Sequence, residues 1–109
     1  MRKIVINDDW GGFGLSAEAM TLYGKISGLL LLSDNYKQDY LTLITGQKIY
    51  DIDLRRDDPI LIQVVEELGE KANGMSASLK IVEIPDDVEW IIQEYDGIEH
   101  VAEKHRTWS

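Results

Sequence analysis

The sequence predicts an α+β fold: two helices packed on a mainly antiparallel sheet, in a single small domain covering residues 1–109. Three observations carry that expectation. An amphipathic helix opens at Asp57-Asp58-Pro59 and keeps its apolar residues on the 3.6-residue period. Short runs rich in β-branched residues recur between turn residues, and Asp96-Gly97 is a two-residue hairpin signal. The resulting order, β-α-β-β-α-β-β-β, is that of an α+β domain.

Residues 3–7 (Lys3, Ile4, Val5, Ile6 and Asn7) carry the first strand. Ser16 is a good N-cap for the helix that follows, and Glu18 sits in its first turn, where the helix dipole favours an anion. Met20 and Tyr23, like Ala19 and Leu22, are three apart and give that helix an apolar side, with its end near Gly24 or Gly28. Ser33-Asp34-Asn35 reads as a turn. Tyr40–Thr45 and Lys48–Leu54 read as two strands around Gly46-Gln47, with Tyr50, Ile52 and Leu54 on one face and Asp51 and Asp53 on the other. In the second helix Leu61, Val64, Val65, Leu68 and Ala72 oppose Gln63, Glu66, Glu67, Glu70 and Lys71, and Asn73-Gly74 is its expected end. Leu79 to Ile84 is a strand closed by Pro85. Val88, Trp90 and Ile92 alternate into the Asp96-Gly97 turn, and Ile98 to Ala102 returns as the partner strand.

A chain of 109 residues that is 44% hydrophobic and 28% charged is expected to be one globular domain. Without cysteine, neither a disulfide nor a thiolate metal site can form. The apolar run behind Met1 stops at Asp8-Asp9, too short for a signal peptide, and Leu29–Leu32 falls far below the roughly 20 residues of a membrane span. A cytoplasmic protein is expected. Twenty acidic residues against eleven basic ones give a net charge of −9, which repels nucleic acid and membrane surfaces, so neither is expected as a partner. The basic residues gather at Arg2-Lys3, Arg55-Arg56 and Lys104-His105-Arg106.

Two segments offer ligand chemistry. Gly11-Gly12-Phe13-Gly14, between the first strand and Ser16, matches neither the dinucleotide fingerprint nor the P-loop. Its glycines can still free backbone N–H groups for an anion, and Trp10 and Phe13 can stack on a base. The alternative is a tight turn with its rings in the core. At the other end, Arg106 can grip a phosphate bidentately, His105 can add a donor and Trp108 a stacking face. The alternative there is a terminal strand whose tryptophan packs inward. Tyr95 beside the hairpin turn is a further candidate contact. No catalytic constellation emerges. His100 and His105 are five apart on a strand and face opposite sides, which opposes a two-histidine metal site. No cofactor is implied.

Several segments together resemble a family of small bacteriophage and prophage proteins of similar length. They are Lys3–Asn7, Gly11–Ser16, Asp57–Pro59, Val64–Gly69, Ala72–Gly74, Leu79–Pro85, Tyr95–Gly97 and Glu103–Trp108. The resemblance covers both ends and the second helix, while residues 29–54 carry little of it. It implies a phage protein acting in the cytoplasm of an infected bacterium, where small proteins often counter host defence. One such class, the sponges of anti-Thoeris and anti-CBASS type, sequesters nucleotide signals without cleaving them.

The function expected from chemistry and setting is non-enzymatic capture of a small phosphate-bearing ligand, a cyclic nucleotide or ADP-ribose derivative. Trp10, Gly11, Gly12, Phe13, Gly14, Ser16, Tyr95, His105, Arg106 and Trp108 are the candidate contacts, and a homo-oligomer is expected. The alternative function is that of an acidic inhibitor that binds a host protein through Glu66, Glu67 and Glu70, with nucleic-acid mimicry as one route.

Overall fold

Residues 1–42 and 46–104 are described by the computed structural model. They form β1 (Arg2–Asn7), α1 (Ala17–Ser27), β2 (Leu30–Ser33), β3 (Asp39–Thr42), β4 (Lys48–Ile49), α2 (Pro59–Leu68), β5 (Leu79–Ile84), β6 (Trp90–Tyr95) and β7 (Ile98–Glu103). The fold is a small α+β domain, and every strand pair among the described residues is antiparallel.

Both helices start where their capping chemistry places them. The Ser16 hydroxyl accepts the Ala19 N–H, and the Asp58 carboxylate accepts the Ile60 N–H one residue before Pro59 opens α2. Their buried faces carry Ala19, Met20 and Tyr23 on α1 and Leu61, Val64 and Val65 on α2. These close over Val5, Leu15, Leu41, Leu54 and Ala72 to make the core.

Four expectations are corrected. The strands form three separate ladders, β1–β5, β2–β3–β4 and β6–β7, in place of one sheet. Helix α2 ends at Gly69 (φ 55°), and Gly69–Ala72 continues as a 3-10 turn, so the helix stops short of Asn73-Gly74. Asn73 instead accepts the Leu79 N–H on its side chain.

The expected strand over Lys48–Leu54 is reduced to Lys48–Ile49, followed by a 3-10 turn at Asp51–Asp53. The carboxylate of Asp53 accepts the Tyr50 N–H and that of Asp51 accepts the Ile52 N–H, so short acidic side chains take donors a strand partner would need. Strand β3 pairs β4 on one edge and β2 on the other, and β2 was absent from the expected order; of the partner strand expected over Tyr40–Thr45, residues 43–45 lie outside the described residues.

The break between the β1–β5 and β6–β7 ladders has a specific cause. On the edge of β1 away from β5, the Val5 N–H donates to the Arg56 carbonyl at 2.8 Å and the Asn7 N–H donates to Glu99 Oε1 at 2.8 Å. Arg56 Nη1 reaches the Val5 carbonyl at 3.4 Å and forms a two-armed ion pair with Glu99 at 2.5 and 2.9 Å. The Arg56 carbonyl and the Arg56 and Glu99 side chains therefore satisfy this edge where a neighbouring strand would otherwise pair. The β6–β7 hairpin is docked on β1 through a buried carboxylate. Asn7 completes the joint: its Nδ2 donates to the carbonyls of Asp9 and Gly97 at 2.7 Å each, and its Oδ1 accepts the Ser78 N–H.

Candidate functional site

The glycine loop spends much of its freedom on packing against the protein itself. A Cβ on Gly97 would lie 2.2 Å from the Trp10 carbonyl oxygen and 2.6 Å from the Gly12 nitrogen, so the hairpin turn presses directly on the loop backbone. Gly11 meets Ser76 in the same way, and the Gly14 carbonyl accepts the Gly74 N–H at 3.0 Å. The Leu15 N–H is held by Asp51 Oδ2 at 3.0 Å, and the Ser16 N–H by the Ala72 carbonyl.

Phe13 is half-buried under the Arg56 guanidinium, 3.6 Å from its ring centroid, so one face already carries a cation. Trp10 is left exposed and meets Tyr95, also exposed, edge to face with ring centroids 6.4 Å apart. Of the candidate contacts, Trp10, Gly11, Gly12, Phe13, Gly14 and Tyr95 thus gather at one end of the β6–β7 hairpin, with Ser16 on the adjoining helix cap.

His105, Arg106 and Trp108 lie outside the described residues. The last described residue, Lys104, donates its N–H to the Glu89 carbonyl at 2.9 Å, at the end of the hairpin opposite Gly97. At about 3.3 Å per residue, β7 sets these two ends roughly 17 Å apart.

A cationic hollow of about 340 Å³ lies at the Lys104 end, lined by Arg2, Arg55, Asp57, Glu89, Trp90 and Lys104. All three basic segments noted in the sequence contribute one side chain to it. Three elements bring them together: Arg2 opens β1, Arg55 precedes the α2 cap, and Lys104 follows β7. Arg2 Nη2 donates to the Asp86 carbonyl at 3.3 Å, and Asp57 holds the exposed Arg55 guanidinium through Nε and Nη2 at 3.3 Å. No carboxylate among the described residues pairs with the Lys104 ammonium.

Trp90 is shared with a second hollow of about 220 Å³, whose other walls are Ile84, Pro85, Val88, Val101, Ala102 and Glu103. One indole therefore separates a basic compartment from a mostly apolar one. That arrangement suits a ligand with an anionic group at one end and a flat or apolar group at the other. Sequence reasoning noticed the basic segments and passed over Trp90, Arg2 and Arg55 as contacts. Their clustering in a chain of net charge −9 was the available signal.

Among the described residues no group of three or more His, Asp or Glu side chains is arranged to hold a metal, and no helix is long and apolar enough to cross a membrane. No family model, curated protein or solved structure matches the chain.

Proposed function

We propose that this protein captures, without turning it over, a small ligand that joins a phosphate to an aromatic or apolar group, of the cyclic-nucleotide or ADP-ribose type. The observation that carries the reading is the convergence of Arg2, Arg55 and Lys104 on Trp90 in a strongly acidic chain. Asp57, paired with Arg55, and Glu89 offset part of this charge, and a bound phosphate would gain charge-assisted hydrogen bonds from the three basic side chains. The neighbouring apolar hollow, with Trp90 as its shared wall, accepts the base. In the phage setting that the resemblance implies, such capture removes a defence signal in the host cytoplasm, and a homo-oligomer holds the ligand between subunits.

Titration calorimetry with cyclic nucleotides and ADP-ribose isomers tests the reading. One member of the panel binds, and Arg55→Ala combined with Lys104→Ala weakens it at least tenfold, about 1.4 kcal/mol. Silence across the panel, or equal affinity in the double variant, removes the proposal. Product formation in the same mixtures would replace capture with catalysis.

A further inference from the structure

The end of the molecule away from the cationic hollow has the opposite chemistry. Trp10, in the turn after β1, and Tyr95, the last residue of β6, expose 62% and 70% of their surfaces. Their edge-to-face contact, with planes 67° apart, leaves the outer ring faces to solvent. Exposed carboxylates border the pair in the chain: Asp8 and Asp9 precede Trp10, Glu94 precedes Tyr95 and Asp96 follows it. No cation among the described residues forms an ion pair with any of them. Met75, fully exposed, precedes the Ser76 that packs on Gly11.

The backbone beneath is rigidly built. Gly97 presses on Trp10 and Gly12, Asn7 ties the Asp9 and Gly97 carbonyls together, and Asp9 Oδ1 accepts the Trp10 N–H at 2.7 Å. Two exposed aromatic rings on this fixed backbone, fringed by carboxylates that carry no ion pair among the described residues, form the complement of a cationic side chain: the π-faces take its planar or alkyl surface and the carboxylates its charge.

We infer that the Trp10–Tyr95 corner is a docking surface for an arginine-bearing segment of a partner protein. Guanidinium fits better than ammonium, because it stacks on a ring and forks to a carboxylate at the same time. The surface is independent of the phosphate reading: it has the opposite charge and stands at the other end of the hairpin.

The test is an NMR titration of the full-length protein with an arginine–glycine hexapeptide, with a glutamate–glycine hexapeptide as control. The Trp10 indole N–H and the Gly11 and Gly12 amides shift with the arginine peptide only. Trp10→Ala weakens the apparent affinity about fivefold, and Asp8→Asn with Asp9→Asn and Asp96→Asn weakens it at least as much. These side chains are exposed, and asparagine keeps the Asp9 acceptor and tolerates the positive φ of residue 96 (50°), so the variants stay folded. Equal shifts at Glu66 and Glu67 on α2 and at Glu70 in the 3-10 turn after it, an acidic stretch without exposed rings, would reduce the effect to general charge and overturn the inference. An absence of shifts overturns it too. Trp10 broadening with protein concentration alone would assign the corner to a second copy of the chain.

Discussion

The Arg56–Glu99 pair is the joint on which the β6–β7 hairpin hangs, and removing half of it should be costly. The Glu99 carboxylate accepts the Asn7 N–H and both arms of Arg56, with side-chain exposures of only 7% for Glu99 and 16% for Arg56. Glu99→Ala leaves the Asn7 N–H without its acceptor, at about 1–3 kcal/mol. It also leaves the guanidinium buried without its counter-charge, a loss that runs about 3–5 kcal/mol when one partner of a buried pair is removed. The two terms overlap, and Arg56 keeps the Val5 carbonyl and the Phe13 ring, so about 4 kcal/mol is expected. That is a large share of the roughly 5–15 kcal/mol that holds a domain folded.

The sharper experiment is Glu99→Gln, which preserves shape and the Oε1 acceptor for Asn7, removes the charge, and replaces the oxygen that accepts Arg56 Nη2 with an N–H donor. It should cost about 2 kcal/mol, read in urea as a lower midpoint at unchanged slope. In a cycle with Arg56→Leu and Glu99→Leu, the double variant should be about 2 kcal/mol more stable than the sum of the single losses. A Glu99→Gln protein within about 0.5 kcal/mol of the parent, or strictly additive leucine variants, would refute a joint built on this pair.

Two further outcomes follow from the geometry. Gly97→Ala should destabilise by about 3 kcal/mol or more in thermal unfolding, because a Cβ there meets loop backbone and the residue sits at φ 91°. Gly12→Ala (φ 90°), with nothing within 4 Å, should lose only about 1–2 kcal/mol, and equal losses would count against the contact. The Tyr23 hydroxyl donates to Asp58, and burial, then that hydrogen bond and the Asp58 charge, push its pKa well above the ordinary 10.0. The folded value being the raised one, its contribution is complete below about pH 10 and drains away as pH climbs past it. Urea midpoints should therefore fall more steeply above pH 10 in the parent than in Tyr23→Phe, and parallel curves would contradict the assignment.

What the sequence disclosed was mostly local. Ser16, Asp58-Pro59 and Asp96-Gly97 act on donors within a few residues, so the helix starts and the hairpin turn were readable without tertiary knowledge. Leu29–Leu32 concealed β2, because four consecutive leucines carry no period of either kind. The alternation over Lys48–Leu54 misled for the converse reason: Asp51 and Asp53 turned their carboxylates onto nearby backbone, and Asp51 also reached Leu15. Arg56 and Glu99 stood among twenty acidic and eleven basic residues with nothing local to mark them. The basic segments were visible as segments, while their meeting at Trp90 depends on where the hairpin docks, which is set by that same inconspicuous pair.

That dependence ties the two ends of the molecule together. Trp90 opens β6 and Lys104 follows β7, whereas Tyr95 and Gly97 stand at the opposite tip of the same hairpin. The partners at each end, Arg2 and Arg55 at one and Trp10 and Gly12 at the other, belong to the body formed by β1 and the helices. Each candidate surface is thus half hairpin and half body, and both halves meet across the Glu99 carboxylate. A folded Glu99→Gln protein should lose affinity at the cationic hollow and at the Trp10–Tyr95 corner together, although neither surface contains residue 99. Loss at one end alone would mean that the other is held by its local contacts, the Gly97 turn against Trp10 or the Lys104 N–H on Glu89, and not by the buried pair.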